Sequence, residues 1–262
     1  MTYRDSVLSS APVGYWPLDE STGTCAYDVS GGGYHGKYQR DPSIGTQGPF
    51  GTSRAPLFNG IDQYVEIANP GGFTFSQPVS GDGLSIESWM RPDQLLLATQ
   101  TKQYVHWLGK GEIGAEEWAF RLYSASDPQR ANRISCYCFN ALGAGGVDLG
   151  AGAYSQELLV GAWIYIVGTL DPGDASYPLA GVTMFRDGER IEGPDNSPGA
   201  RYANPTHWDI FPTAGSSPVR VATRDRRTFF AGAIAQVAIY PRVLTEDEVQ
   251  AHYAAATAEG LA

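Results

Sequence analysis

Charge and cysteine are both scarce in this sequence, and it has no long apolar run. Charged residues make up 18% of the 262, below the usual quarter, which excludes the charge-rich disordered and coiled-coil classes. Acids outnumber bases 28 to 18, a formal net charge of −10, so neither duplex nucleic acid nor an anionic membrane is an expected partner. No stretch approaches the ~18 consecutive apolar residues of a spanning helix. The opening MTYRDSVLSSAPVGYW also lacks the basic-then-apolar layout of a secretory signal. The three cysteines, Cys25, Cys136 and Cys138, are too few and too irregular for a disulfide framework. They are expected as reduced, buried small hydrophobes, with Cys136 and Cys138 on one strand face.

Turn formers and aromatics fill the space left by charge. Gly 32 and Pro 17 punctuate a chain holding 15 Tyr, 10 Phe and 6 Trp, a mixture that suits short strands joined by many turns. Strands are expected over Val13–Leu18, Gln63–Ile67, Leu84–Met90, Tyr104–Leu108, Trp118–Tyr123 and Arg133–Phe139. Four more are expected over Trp163–Leu170, Val182–Arg186, Val219–Thr223 and Gly232–Tyr240. Asp187-Gly188 between two of these runs predicts a hairpin with a type I′ turn. With no helices between the strands, the class is all-β, a sandwich or a barrel and not a βαβ sheet.

Only the two ends read as helix. Thr2 caps a short N-terminal helical arm over residues 1–12, which Pro12 stops; residues 13–262 follow as one domain. Thr245-Glu246-Asp247-Glu248 is a capping box, and Val249, His252, Tyr253 and Ala256 then share one face of a helix over Thr245–Ala256. His252 is expected there as an ordinary packed or exposed helix residue.

Four blocks, in order, resemble the LamG-like jelly rolls of the concanavalin A-like lectin/glucanase superfamily. They are Val13–Glu20 leading into Ala26–Gly36, Leu57–Gly60 followed by Gln63–Ile67, Leu84–Pro92, and Phe230–Leu244 running into the capped helix. The resemblance implies a jelly-roll sandwich of two antiparallel sheets with a short C-terminal helix. Alternation along Leu84–Arg91 then sends Leu84, Ile86, Ser88 and Met90 to one face and Ser85, Glu87, Trp89 and Arg91 to the other. Trp16, Trp89 and Trp163 are expected in the core. The start, in which Tyr3-Arg4-Asp5-Ser6-Val7-Leu8 leads directly into the Gly14-Tyr15-Trp16 strand, also resembles LamG-fold virion proteins of tailed actinobacterial phages. It implies a virion-surface protein, made in the host cytoplasm and released by lysis, with an extracellular setting as the alternative.

The fold hosts lectins, hydrolases and structural proteins alike, so function rests on the site. A glycosidase of this superfamily needs two carboxylates facing across the bond, roughly 5–9.5 Å apart; no alternating-acid strand supplies them. Glu112, Glu116 and Glu117 read as a solvated turn, and Glu87 has no evident partner. No catalytic residue is therefore expected. Calcium is the one cofactor the resemblance raises, with Asp28, Asn59 and Gly60 at the matching positions. Ala235 stands where the family commonly has an acid, which weakens such a site; Asp28 reads better as a turn residue bonding its own backbone.

Binding is expected in the long loop Glu192–Pro218. It carries Arg201, Tyr202, His207 and Trp208, and Trp208 can serve as a sugar platform, a subunit contact or an anchor. The expected function is a non-catalytic phage tail or capsid-attached protein. Its partners are other virion proteins or like subunits and host-surface glycan, with no nucleic acid and no membrane. The alternatives are a secreted carbohydrate-binding module of a larger protein and a glycoside hydrolase.

Overall fold

The structure is a computed structural model and describes residues 1–68, 73, 83–95, 104–128, 130–139, 150–157, 160–171, 181–191 and 215–262. In chain order the elements are α1 (Tyr3–Ser9), β1 (Gly14–Trp16), β2 (Cys25–Ala26), β3 (Gly36–Gln39), β4 (Ser43–Gln47), β5 (Arg54–Asn59) and β6 (Tyr64–Ile67). Then come β7 (Leu84–Pro92), β8 (Tyr104–Glu112), β9 (Ala115–Tyr123), β10 (Arg133–Phe139), β11 (Gly150–Glu157) and β12 (Ile164–Asp171). The chain closes with β13 (Gly181–Arg186), β14 (Glu189–Arg190), β15 (Val219–Val221), β16 (Ala231–Tyr240) and α2 (Glu246–Ala258).

Two antiparallel sheets form the sandwich. One runs β14-β13-β12-β7-β16-β5-β4, with β1 also paired to β16; the other runs β11-β10-β9-β8-β15-β6-β3-β2. The first strand thus pairs with the last, Gly14 opposite Ile239 and Trp16 opposite Val237. Every strand expected from the sequence is present. Five more were not legible: β2, β3, β4, β5 and β11. Glycine, proline and small polar residues dominate them, so no run of β-branched or aromatic residues marks them. In β5, Pro56 falls between the ladder pairs Ala55–Thr46 and Leu57–Ser43, where the register slips, a place where a missing N–H costs little. The hairpin forms as expected: Arg186 pairs with Glu189, and Asp187 and Gly188 take φ of 52° and 84°, the two positive angles of a type I′ turn.

Between the sheets lies a core that includes Trp16, Ile86, Met90, Trp107, Trp118, Phe120, Ile166 and Ile234, all at most 1% exposed. Burying an aliphatic side chain of this kind contributes about 1.5–3 kcal/mol. Cys136 and Cys138 both face this core, and all three cysteines are free.

The outward face of β7 departs from the simple sandwich. Ser85 and Glu87 are buried rather than exposed, and Trp89 is buried in an outer cluster and not between the sheets, because both helices lie across that face and add a third layer. A second cluster joins Tyr3 and Val7 of α1 and Val249 and Ala256 of α2 to Tyr15, Trp89, Tyr165, Val167 and Tyr240. Each helix starts with a complete capping box, Thr2 with Asp5 and Thr245 with Glu248; each cap contributes about 1 kcal/mol. Trp163 is also corrected. It sits just before β12, half-buried on the outside of the sheet, and not in the inter-sheet core.

Candidate functional site

Arg201, Tyr202, His207 and Trp208 lie outside the described residues. The other positions singled out from sequence are placed.

Asp28 is a turn anchor. Its carboxylate accepts the backbone N–H groups of Tyr15 at 3.0 Å, Ser30 at 2.9 Å and Tyr34 at 2.9 Å. Burial pushes its acidity the other way, yet these amides hold the carboxyl below the ordinary aspartate value. Asn59 does similar work: its Oδ1 accepts the amides of Ile61 at 2.9 Å and Asp62 at 3.2 Å, and its Nδ2 donates to Asp62 at 3.0 Å. Gly60 completes that turn at φ 73°. Calcium wants six to eight oxygens. Here the side-chain oxygens of Asp28 and Asn59 are directed at backbone amides, Ala235 offers a buried methyl, and no group of three His, Cys, Asp or Glu side chains that could hold a metal occurs among the described residues. These residues do not fit the ion.

The four carboxylates weighed for catalysis are each committed. Glu117 pairs with the buried Lys110. Glu116 lies 3.5 Å from Arg224 and Glu112 2.7 Å from Arg220; far from solvated, Glu116 and Glu117 are buried. Glu87 is on the other sheet under the helices, fully buried. It accepts hydrogen bonds from the hydroxyls of Tyr3 at 3.0 Å and Tyr165 at 2.9 Å and meets His252 Nδ1 at 2.8 Å. His252 Nε2 in turn lies 3.0 Å from Ser10 Oγ. Burial lowers the basicity of His252, but the charge and hydrogen bond of Glu87 outweigh it and the pKa is raised. The order Ser, His, Glu is that of a hydrolytic triad, but its histidine is 1% exposed, and it ties the two helices to the sheet.

On the same outward face, beyond the helices, β16 and β5 carry Ala55, Ala233 and Ala235, a buried apolar patch packed against Leu57 and Trp163. The guanidinium of Arg91 lies 5.3 Å from the centroid of the Trp163 ring, within cation–π range, and its Nε donates to Asp93 Oδ1 at 3.0 Å. Asp93 lines a shallow cleft of about 330 Å3 together with Leu57, Ala231, Gly232, Ser43 and Gln94. Gly232 permits the close approach of backbones here: a Cβ on it would fall 2.1 Å from the Arg91 carbonyl oxygen. Asn59 and Gln63 form a wall whose amides are used internally, Gln63 Nε2 donating to the carbonyls of Arg40 at 3.1 Å and Asp41 at 3.0 Å.

Residues 59–250 match the family described as the concanavalin A-like lectin/glucanases superfamily, by its laminin G-like model. The chain belongs to that superfamily. No curated protein sequence matches it. Among solved structures, the binding domain of Paraclostridial Mosquitocidal Protein 1 superposes with a TM-score of 0.63 at 14% identity, over 94% of this chain and 52% of that one. The binding domain of botulinum neurotoxin serotype D gives 0.61 at 9% identity, over 95% and 52%. Domain 4 of AbnA, a GH43 extracellular arabinanase from Geobacillus stearothermophilus solved with arabinotriose, gives 0.51 at 17%, over 92% and 98%. The chain therefore spans about half the length of the toxin domains and nearly all of the arabinanase domain. At these identities the likeness is one of fold.

Within this superfamily member, sequence reasoning singled out Asn59 as a calcium-matching position but missed Asp93 and Gln94. Their one signal is position: they follow the Arg91-Pro92 end of β7, where a strand gives way to a loop.

Proposed function

We propose that this is a non-catalytic glycan-adhesion domain whose ligand enters the cleft beside Asp93. One observation carries the reading. Ser43 Oγ, Asp93 Oδ2 and the Gln94 amide have no hydrogen-bond partner among the described residues, and they surround an apolar floor. Sugars present the same pairing, a patch of C–H beside hydroxyls that both donate and accept. A domain of the same fold, matched over nearly its whole length, carries arabinotriose. The setting we propose is a virion surface, where such a domain would hold host polysaccharide and contact neighbouring virion proteins or like subunits; its presence in purified particles tests that setting.

Glycan arrays followed by calorimetry test the adhesion itself. Asp93→Ala should weaken the best ligand at least tenfold, since a hydrogen bond to a charged group contributes about 1.5–3 kcal/mol. Wild-type protein that retains no oligosaccharide refutes the reading.

A further inference from the structure

We infer that the cleft selects uncharged glycans over acidic ones, and that Asp93, aimed by Arg91 and Trp163, is the residue that sets this selectivity. The inference rests on the glycan reading above and adds the ligand class.

The charge around the cleft is unbalanced. Of the residues that line the cleft, Asp93 is the one with a charged side chain, and the Asp62 carboxylate lies 3.0 Å from Nδ2 of the lining Asn59. Arg91 does not face an incoming ligand as a free cation: one face of its guanidinium is on Trp163 and its Nε is on Asp93. The rim group that remains for recognition is Asp93 Oδ2, an acceptor only, on a side chain 39% exposed. A sugar hydroxyl donates to it without penalty. A uronate, sialate or phosphate placed within hydrogen-bond reach of the same oxygen sets two anions together, and like charges at an interface are strongly disfavoured. The neighbouring Ser43 hydroxyl and Gln94 amide both donate and accept, so they suit vicinal hydroxyls, while Leu57, Ala231 and Gly232 take the C–H side of the ring. The net charge of −10 opposes acidic polymers at longer range as well.

Trp163 and Arg91 are positioning residues in this scheme. The aspartate is three bonds from the backbone at the start of a loop, and by itself would sample several rotamers. The ion pair with Arg91, itself against the indole, occupies one carboxylate oxygen and leaves the other available to a ligand. Arg91 also lowers the cost of placing a carboxylate beside apolar floor, so a variant that removes only the Asp93 charge exposes the guanidinium to the ligand.

The test measures binding of matched neutral and uronate-bearing oligosaccharides, at low and high salt, to wild-type protein, Asp93→Asn and Trp163→Phe. Wild-type should prefer the neutral member of each pair by about tenfold or more. Asp93→Asn should lose neutral affinity and at the same time lose the discrimination, because Arg91 is then uncompensated. Trp163→Phe, which keeps an aromatic face, should retain the preference. Equal or tighter wild-type binding of the acidic members overturns the inference while leaving glycan adhesion standing. An unchanged neutral-to-acidic ratio in Asp93→Asn overturns it too, by placing the ligand elsewhere. Retention of neither class by folded wild-type protein overturns both readings.

Discussion

Replacing His252 by alanine should be the most damaging single change on the helix-covered face. The imidazole joins Ser10 at the end of α1, Glu87 at the centre of β7 and α2 itself. Its loss leaves the Glu87 carboxylate with the two phenols of Tyr3 and Tyr165 but no counter-charge, at 0% exposure. Breaking a buried pair by removing one partner costs about 3–5 kcal/mol, against about 1.5–3 for the charged hydrogen bond alone. We expect about 4 kcal/mol by denaturant unfolding, or a thermal midpoint lower by roughly 10 °C at about 2–4 °C per kcal/mol for a chain of this size. The paired change Glu87→Met with His252→Leu should recover most of that loss, since it removes both charges together. The pH dependence has a defined sign. The His252 pKa is raised from its ordinary 6.5, so the native state holds the proton more tightly than the unfolded chain. This stabilisation is fully present below pH 6.5 and is lost as pH rises through the native pKa. Two results refute the reasoning: a His252→Ala penalty below about 1 kcal/mol, or a variant whose stability falls over that alkaline window just as the wild-type does.

Two further outcomes follow from other elements. Glu248 closes the α2 capping box and pairs with Arg242 at 2.6 Å, which with the Thr245 amide brings its pKa from 4.5 to about 2; Glu248→Gln should cost about 0.5–1 kcal/mol. Its contribution is present above pH 4.5 and is lost as pH falls through about 2, so the variant should show a shallower acid limb in urea titrations. Glycan binding should persist in excess chelator, because Asp28 and Asn59 direct their oxygens to backbone amides; a chelator-sensitive affinity restored by calcium would place an ion where these side chains were read as turn anchors.

The inward half of each strand could be read from sequence because inter-sheet burial leaves a period-two trace: Leu84, Ile86 and Met90 are all in the core as alternation requires. The outward half could not. Serine and glutamate at 85 and 87 read as solvated because what covers them comes from residues 3–10 and 244–256, far away in sequence. His252 was recognisable as a helix residue, but its partner Glu87 is 165 positions away, and no local pattern links them. The cleft is equally non-local, since Ser43, Leu57, Asp93 and Gly232 come from separate strand ends.

One local feature does divide the outward face into its two parts. In β16 the pairing with β7 shifts register between Ala235 and Ala238, at Gln236, whose φ is 56°. Its N–H donates to the Pro17 carbonyl at 3.0 Å and its side chain accepts the Tyr15 hydroxyl. The extra residue reverses the alternation. Before it, Ile234 points into the core and Ala233 and Ala235 point out; after it, Val237 and Ile239 point in and Ala238 and Tyr240 point out. Tyr240 meets α2, stacked on His252 with centroids 6.2 Å apart, whereas the alanines leave a floor low enough for Trp163 to lie on and brace Arg91. The alanine that weakens a metal reading of this strand is thus part of the surface against which Trp163 packs.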